Sequence, residues 1–285
     1  MKSKQSGFTL IELMIALVLG LIIVAAGVML FLSAQQNVAL QNASSEMQNN
    51  ANYALNYIIK DLRLANLDTG NLKLNKDNSN GGIIFANNDS SSNNEGSRSN
   101  YSPSNITGSK SDVLTIRYKP QVESYDCAGK KISEADIATD DLYIVQSYFI
   151  REVSPNELSN NEKQRNTLTL VCKAGRQKAD KTIEWNGNGS QMIIRRADYF
   201  KVNLIVKNKQ SLREVGIGDY TNSQGDIVGV NLSIIARSPQ RIDTEGQSIF
   251  PIFDQQVSLA DGISKKYVRE VISMTIAFRN TFGEH

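Results

Sequence analysis

Glu12 has the most unusual setting in this sequence. It stands just ahead of residues 13–32, a run of twenty almost wholly apolar positions, and no other charge lies between it and Glu46. A carboxylate at the lip of an apolar helix is costly in hydrocarbon and implies a functional partner. Upstream lie Gly7 and Phe8, preceded by a short segment carrying Lys2 and Lys4 and no acid. Cutting after Gly7 would liberate an α-amino group on Phe8. In a staggered bundle of such helices, that ammonium could face Glu12 of a neighbour. Either charge alone is expensive there, whereas a hydrogen-bonded pair is tolerable, so the pairing would set register during assembly. The alternative is an uncleaved signal anchor whose Glu12 reaches the headgroups, which leaves the Gly7-Phe8 junction unexplained.

The other reactive side chains are few. Cys127 and Cys172 are the only cysteines, and both lie far beyond the apolar run. In an exported domain an even pair reads as one disulfide, the alternative being two buried free thiols. His285 is the single histidine and is terminal, so a histidine-based triad or a metal site built on Cys and His lacks ligands. Gly216-Ile217-Gly218 is followed by Thr221 where a dinucleotide fingerprint needs glycine. The pairs Asp140/Asp141 and Asp219/Asp226 lack the spacing of a calcium loop and read as solvated turn residues. We expect no enzyme, no cofactor and no metal.

The elements that must position these residues follow from periodicity. At about 1.5 Å rise per residue, residues 13–32 span roughly 30 Å, the thickness of a bilayer core. The basic leader keeps the N-terminus cytoplasmic and sends the bulk of the chain across an inner membrane into the periplasm. Past residue 32 the helical period continues through Met47, Ala51, Ala54, Leu55, Ile58, Leu62 and Ala65, while Glu46, Lys60 and Arg63 take other faces. One helix from Phe8 to about Leu67 would be on the order of 90 Å long. Gly20 and Gly27, seven residues apart, share a face and permit close helix contact. Residues 71–112, dominated by Asn, Ser and Gly, read as a long mobile loop in which only Ile83, Ile84 and Phe85 offer core material.

The remainder is rich in alternating β-branched and aromatic residues. Strands are expected at 113–118, 142–150, 167–172, 192–194, 200–206, 227–236 and 271–278. The expected fold is α+β: a long hydrophobic then amphipathic helix packed on an antiparallel β-rich domain with one core. The divisions are a leader (1–7), an apolar helix (8–32), its amphipathic continuation (33–67) and the β-rich domain (68–285). Of 31 basic and 29 acidic residues, two lysines fall in the leader, so the processed chain is formally neutral. Neutrality gives no signal for nucleic-acid binding, which needs a basic excess.

The run Gly7-Phe8-Thr9-Leu10-Ile11-Glu12 resembles the class III signal of type IV prepilins and type II secretion pseudopilins. The resemblance implies cleavage after Gly7 by a prepilin peptidase, N-methylation of Phe8, and an assembly role for Glu12, the fifth residue counted from Phe8. Residues 227–238 and 269–280, the cysteine pair and the chain length are similar to PilW-type minor pilins, relatives of the J-type pseudopilin. That implies a minor pilin that primes a type IV pilus near its tip and supports adhesion and twitching motility. Implied partners are other minor pilins, the major pilin, the inner-membrane assembly platform and a tip adhesin. The alternatives are a J-type pseudopilin of a type II secretion system and, in a different class, an uncleaved bitopic sensor or adhesin.

Overall fold

The computed structural model describes residues 7, 9–70, 73–76, 81–86, 96–158, 167–178, 181–187, 189–209, 211–242 and 245–281. Residues 1–6 of the leader, Phe8, the tract from Asn87 to Asn94 and His285 lie outside the described residues.

One helix, α1 (Leu10–Leu64), runs for 55 residues, about 80 Å at the usual rise. Its first half is exposed throughout, and its second half is buried along one stripe: Ala43, Met47, Ala51, Ala54, Leu55, Ile58 and Leu62 are all at 2% exposure or less. These positions recur every three or four residues, so one helical face carries them all. The stripe packs against two antiparallel sheets. The first contains β1 (Arg98–Ser102), β2 (Ser111–Tyr118), β5 (Tyr143–Glu152), β6 (Leu168–Gln177) and β7 (Ile183–Trp185) in that spatial order, with β8 (Gln191–Ile194) also on β6. The second has the order β10-β9-β11-β14, made of β9 (Ala197–Asn208), β10 (Ser211–Gly216), β11 (Asp226–Arg241) and β14 (Tyr267–Ala277). Small additions are the β3 (Ser124–Tyr125) and β4 (Lys131–Ile132) pair, a one-turn α2 (Glu134–Ala138), and the hairpin of β12 (Ile249–Ile252) and β13 (Gln255–Ser258).

The main core draws on all three layers. Leu55, Ile58 and Leu62 of α1 meet Leu114, Tyr148 and Leu170 of the first sheet and Phe200, Val202 and Leu232 of the second. A smaller cluster of Tyr199, Ile235, Phe250 and Ile252 lies on the other face of the second sheet, beneath the β12-β13 hairpin. The single core expected from the sequence is therefore a main core with satellites. Alternation along β9 decides the sides: Phe200, Val202 and Leu204 enter the main core, while Tyr199, Lys201 and Asn203 face away from it.

The tract expected to be a loop between 71 and 112 is more structured than its composition suggests. Leu74 is fully buried, Ile83 bridges Ile116, and Phe85 bridges Ser97. β1 pairs with β2, whose first residue, Ser111, also falls inside that tract, and Ile106 bridges Leu259. Side-chain bonds stand in for apolar burial here: Ser97 Oγ accepts from Thr115 N–H at 2.7 Å, and Asp112 accepts from the N–H groups of Asn100 (3.0 Å) and Val202 (2.9 Å).

The helix ends in a polar clasp. Asn280 Nδ2 donates to the carbonyls of Arg63 (3.1 Å) and Ala65 (3.0 Å), which the finished helix leaves without partners. Asn66 answers by donating to the Asn280 carbonyl at 2.9 Å. Asn66 adopts a left-handed φ of 65°, and its Oδ1 accepts from Gly82 N–H at 2.9 Å. A Cβ at Gly82 would stand 2.1 Å from Asn66 N, so only glycine fits this approach.

Arg237 and Arg269 are buried, each at 5% exposure. They stand directly opposite each other in the β11-β14 register, an unfavourable pairing of like charges by itself. Asp198 resolves it. The β9-β11 register shifts at Ile235/Ala236, leaving Asp198 as an extra residue whose carboxylate takes Arg269 Nε at 2.6 Å and Asn105 Nδ2 at 2.8 Å, with Arg237 Nε 3.9 Å away.

Candidate functional site

Thr9 caps α1. Its side chain accepts from Glu12 N–H at 3.4 Å, and Glu12 Oε2 accepts from both Thr9 N–H (3.0 Å) and Thr9 Oγ1 (2.8 Å). This reciprocal capping box satisfies donors that a helix start leaves open. Its signature, Thr9-x-x-Glu12, is legible in the sequence as a threonine followed three residues later by a glutamate. Glu12 therefore has two separable uses: local capping through Oε2, and a negative charge held at the head of an apolar helix. Gly7 is exposed, with nothing within 4 Å of the place a Cβ would occupy, so no packing in the folded chain demands glycine there. Gly20 and Gly27 are equally open.

Beyond Glu12 the helix presents Leu13, Met14, Leu17, Leu21 and Phe31 at 58–62% exposure, with no covering element among the described residues. This segment is long and apolar enough to cross a membrane. An uncovered apolar surface of this extent needs lipid or protein around it.

The disulfide between Cys127 and Cys172 joins the β3-β4 loop to β6, with the Cα atoms 6.0 Å apart and a sequence separation of 45. A closed loop of that length stabilises a fold by about 4 kcal/mol in the chain-entropy account. Beside it lies a buried polar network absent from the sequence reading. Asp61, on the buried stripe of α1, accepts from Tyr148 Oη at 2.7 Å. With its amide nitrogen turned toward them, Gln146 donates to Tyr148 Oη and Asp61 Oδ2, both at 3.2 Å, and its Oε1 accepts from Cys127 N–H at 3.0 Å. The chain Asp61, Tyr148, Gln146, Cys127 thus ties the helix to the disulfide. The signal available was one acid inside an otherwise apolar stripe.

Burial pushes the Asp61 carboxyl up from 3.8 to about 6; the Tyr148 bond and Lys60 oppose the rise, and Asp126 adds to it. The folded chain therefore holds this proton to higher pH than the unfolded chain does. The associated stability is fully present below pH 3.8, declines as pH rises toward about 6, and stays lost above that. A rise of this size corresponds to about 2–3 kcal/mol. We expect Asp61→Asn to remove this loss. In urea titrations of the full chain in detergent, its stability advantage over wild type should grow between about pH 4 and 6 and then level off. A pH-independent difference would show that the carboxyl titrates normally.

Among the described residues no group of three or more His, Cys, Asp or Glu side chains is placed to hold a metal ion. Asp140 pairs with Lys119 at 3.8 Å and Asp226 with Lys73 at 3.9 Å, both at the surface.

Residues 2–28 match the family model described as "Prokaryotic N-terminal methylation motif". That motif heads an uncovered apolar helix whose other half docks on antiparallel sheets. Among solved structures, a type IV-like pilin from Thermus thermophilus is similar at 11% identity and a TM-score of 0.41, covering 82% of this chain and 96% of that one. No curated protein matches the sequence.

Proposed function

We propose that the chain is the precursor of a minor pilin of a type IV pilus. A prepilin peptidase removes residues 1–7, Phe8 is N-methylated, and the apolar half of α1 holds the product in the inner membrane with its β-rich domain in the periplasm. The assembly platform then draws it into a filament, where it primes assembly near the tip with other minor pilins and the major pilin, alongside a tip adhesin, in support of adhesion and twitching motility. The carrying observation is that α1 is a single helix buried on its own domain only in its second half, below a methylation motif. A signal anchor needs no such rigid continuity between membrane and domain. A subunit whose apolar half exchanges lipid for neighbouring helices does.

The test is the intact mass of the protein recovered from its native membrane. The expected product begins at Phe8 and carries one added methyl group. A chain retaining Met1, Lys2 and Lys4 while functioning normally would overturn the proposal and favour the uncleaved sensor or adhesin. The J-type pseudopilin shares this processing, and a gene neighbourhood encoding secretion components in place of pilus components would favour it.

A further inference from the structure

The stripe that seats α1 on its own domain does not stop where the domain does. Counted back by fours from buried Ala43, it continues as Ala39, Gln35 and Phe31, so these positions share the docked face of the helix. Gln240 of β11 faces them across an open notch of about 500 Å³, which Ala34 and Val38 line on the apolar side. The level of this notch decides what it meets. If residues 13–32 fill the bilayer core, the headgroup layer covers roughly the next 5–8 Å, the rise of about four or five further residues. The notch opens at Phe31, on the hydrocarbon edge, and runs outward through that layer.

The domain brings cations to the same level. β11 runs along α1 from Ala236, beside Met47, to Gln240 and Arg241, and Arg241 stands opposite Tyr267, the first residue of β14. The residues ahead of β14 are tied to the same turn: Ile242 N–H donates to the Lys266 carbonyl at 3.1 Å and Gly246 N–H to the Lys265 carbonyl at 2.8 Å. Arg241, Lys265 and Lys266 therefore gather at the end of the second sheet nearest the apolar half of α1. All three are exposed, and none has an ion-pair partner among the described residues. Alternation from Val268, which packs against Met47 and Ala51, turns Lys266 toward α1. The acids of this turn are exposed Glu245 and Asp243, the latter outside the described residues, so bases outnumber acids by three to two.

We propose that the notch holds an anionic phospholipid of the leaflet on the domain side, an inference that rests on α1 crossing the membrane. An acyl chain lies along Phe31, Ala34 and Val38. Lys266 meets the phosphate, Arg241 and Lys265 add attraction, and the amides of Gln35 and Gln240 donate to phosphate and ester oxygens. A second copy of α1 is a poorer occupant. Its residues 13–45 carry no acid, so seating them here would cover Lys266 without a counter-charge.

The test is native mass spectrometry of the full chain from dodecylmaltoside micelles, titrated with phosphatidylglycerol, phosphatidylcholine or glycerol 3-phosphate. The expected result is one phosphatidylglycerol held at least about tenfold more tightly than phosphatidylcholine, and no retention of glycerol phosphate. Joint replacement Arg241→Gln, Lys265→Gln and Lys266→Gln should abolish the preference, since each base near an anionic surface contributes roughly fivefold. Ala34→Trp, which fills the notch from an exposed helix position, should weaken both lipids about tenfold. Arg195→Gln is the control: Arg195 is exposed and shares a cleft with Glu46, Met47 and Asn50, roughly 20 Å beyond Leu32 and outside the screening length, so the preference should survive. Equal retention of the two lipids, a preference that outlasts the triple replacement, an equal loss with Arg195→Gln, undiminished binding with Ala34→Trp, or glycerol phosphate held as well as the lipid would each overturn the proposal. The same spectra give the mass of the chain, so a protein that keeps residues 1–7 and still selects phosphatidylglycerol would sink the cleavage assignment and leave this site standing.

Discussion

Replacement of Gly7 by leucine is expected to leave the precursor uncut, so that immunoblots of membranes show one band heavier than wild type by the leader. The folded chain gives no other reason for such an effect. A Cβ at Gly7 meets nothing within 4 Å, and the first helical residue is Leu10. The substitution therefore leaves folding and the capping box intact. Whatever processing is lost must arise in the peptidase, where a residue without a side chain lets the backbone lie close to the catalytic groups. We expect cleavage to fall at least about tenfold, equivalent to roughly 1.4 kcal/mol in the barrier, and filaments containing this subunit to disappear with it. Normal-sized product from the variant would place the cut elsewhere.

The second large effect concerns Glu12, and the structure sharpens how it should be tested. Alanine removes the negative charge and the capping acceptor together, so its failure would not say which mattered. Glutamine separates them, because its side-chain carbonyl can still accept from Thr9 N–H and Thr9 Oγ1 as Glu12 Oε2 does. If the carboxylate pairs with the new amine of a neighbouring Phe8, both Glu12→Gln and Glu12→Ala should be processed normally yet lower filament counts at least about tenfold. Wild-type counts with Glu12→Gln and a deficit with Glu12→Ala would assign the residue to helix capping alone. That outcome would remove the pairing argument while leaving the cleavage assignment standing.

Much of the architecture was legible because it rests on periodic burial. The stripe Met47, Ala51, Ala54, Leu55, Ile58, Leu62, Ala65 is buried as its spacing required, and the long β-branched runs form the central strands. The remainder was hidden where polar side chains take over from apolar burial. β1, Arg-Ser-Asn-Tyr-Ser, has no apolar alternation and owes its place to hydrogen bonds with its neighbours and the pairing with β2. The burial of Arg237 and Arg269 has no local signal because Asp198, which makes it tolerable, lies some 40 and 70 positions away in sequence. Division of the strands into two sheets depends on pairings between distant segments, which local pattern does not encode. At the N-terminus, Gly7 and Glu12 were singled out from order and charge and their roles rest on the experiments above, whereas Glu12's bond to Thr9 was a short-range motif that went unread.

The asparagine clasp has a mechanical consequence. Arg63 and Ala65 at the helix end are fastened to Asn280 beyond the last strand, while the helix flank is packed on both sheets. Tension applied along the axis from the apolar end thus arrives as shear shared among many parallel contacts. It does not peel them one at a time from a free edge. A tether loaded this way resists traction far better than the same contacts opened like a zipper, because many bonds must yield in a single step.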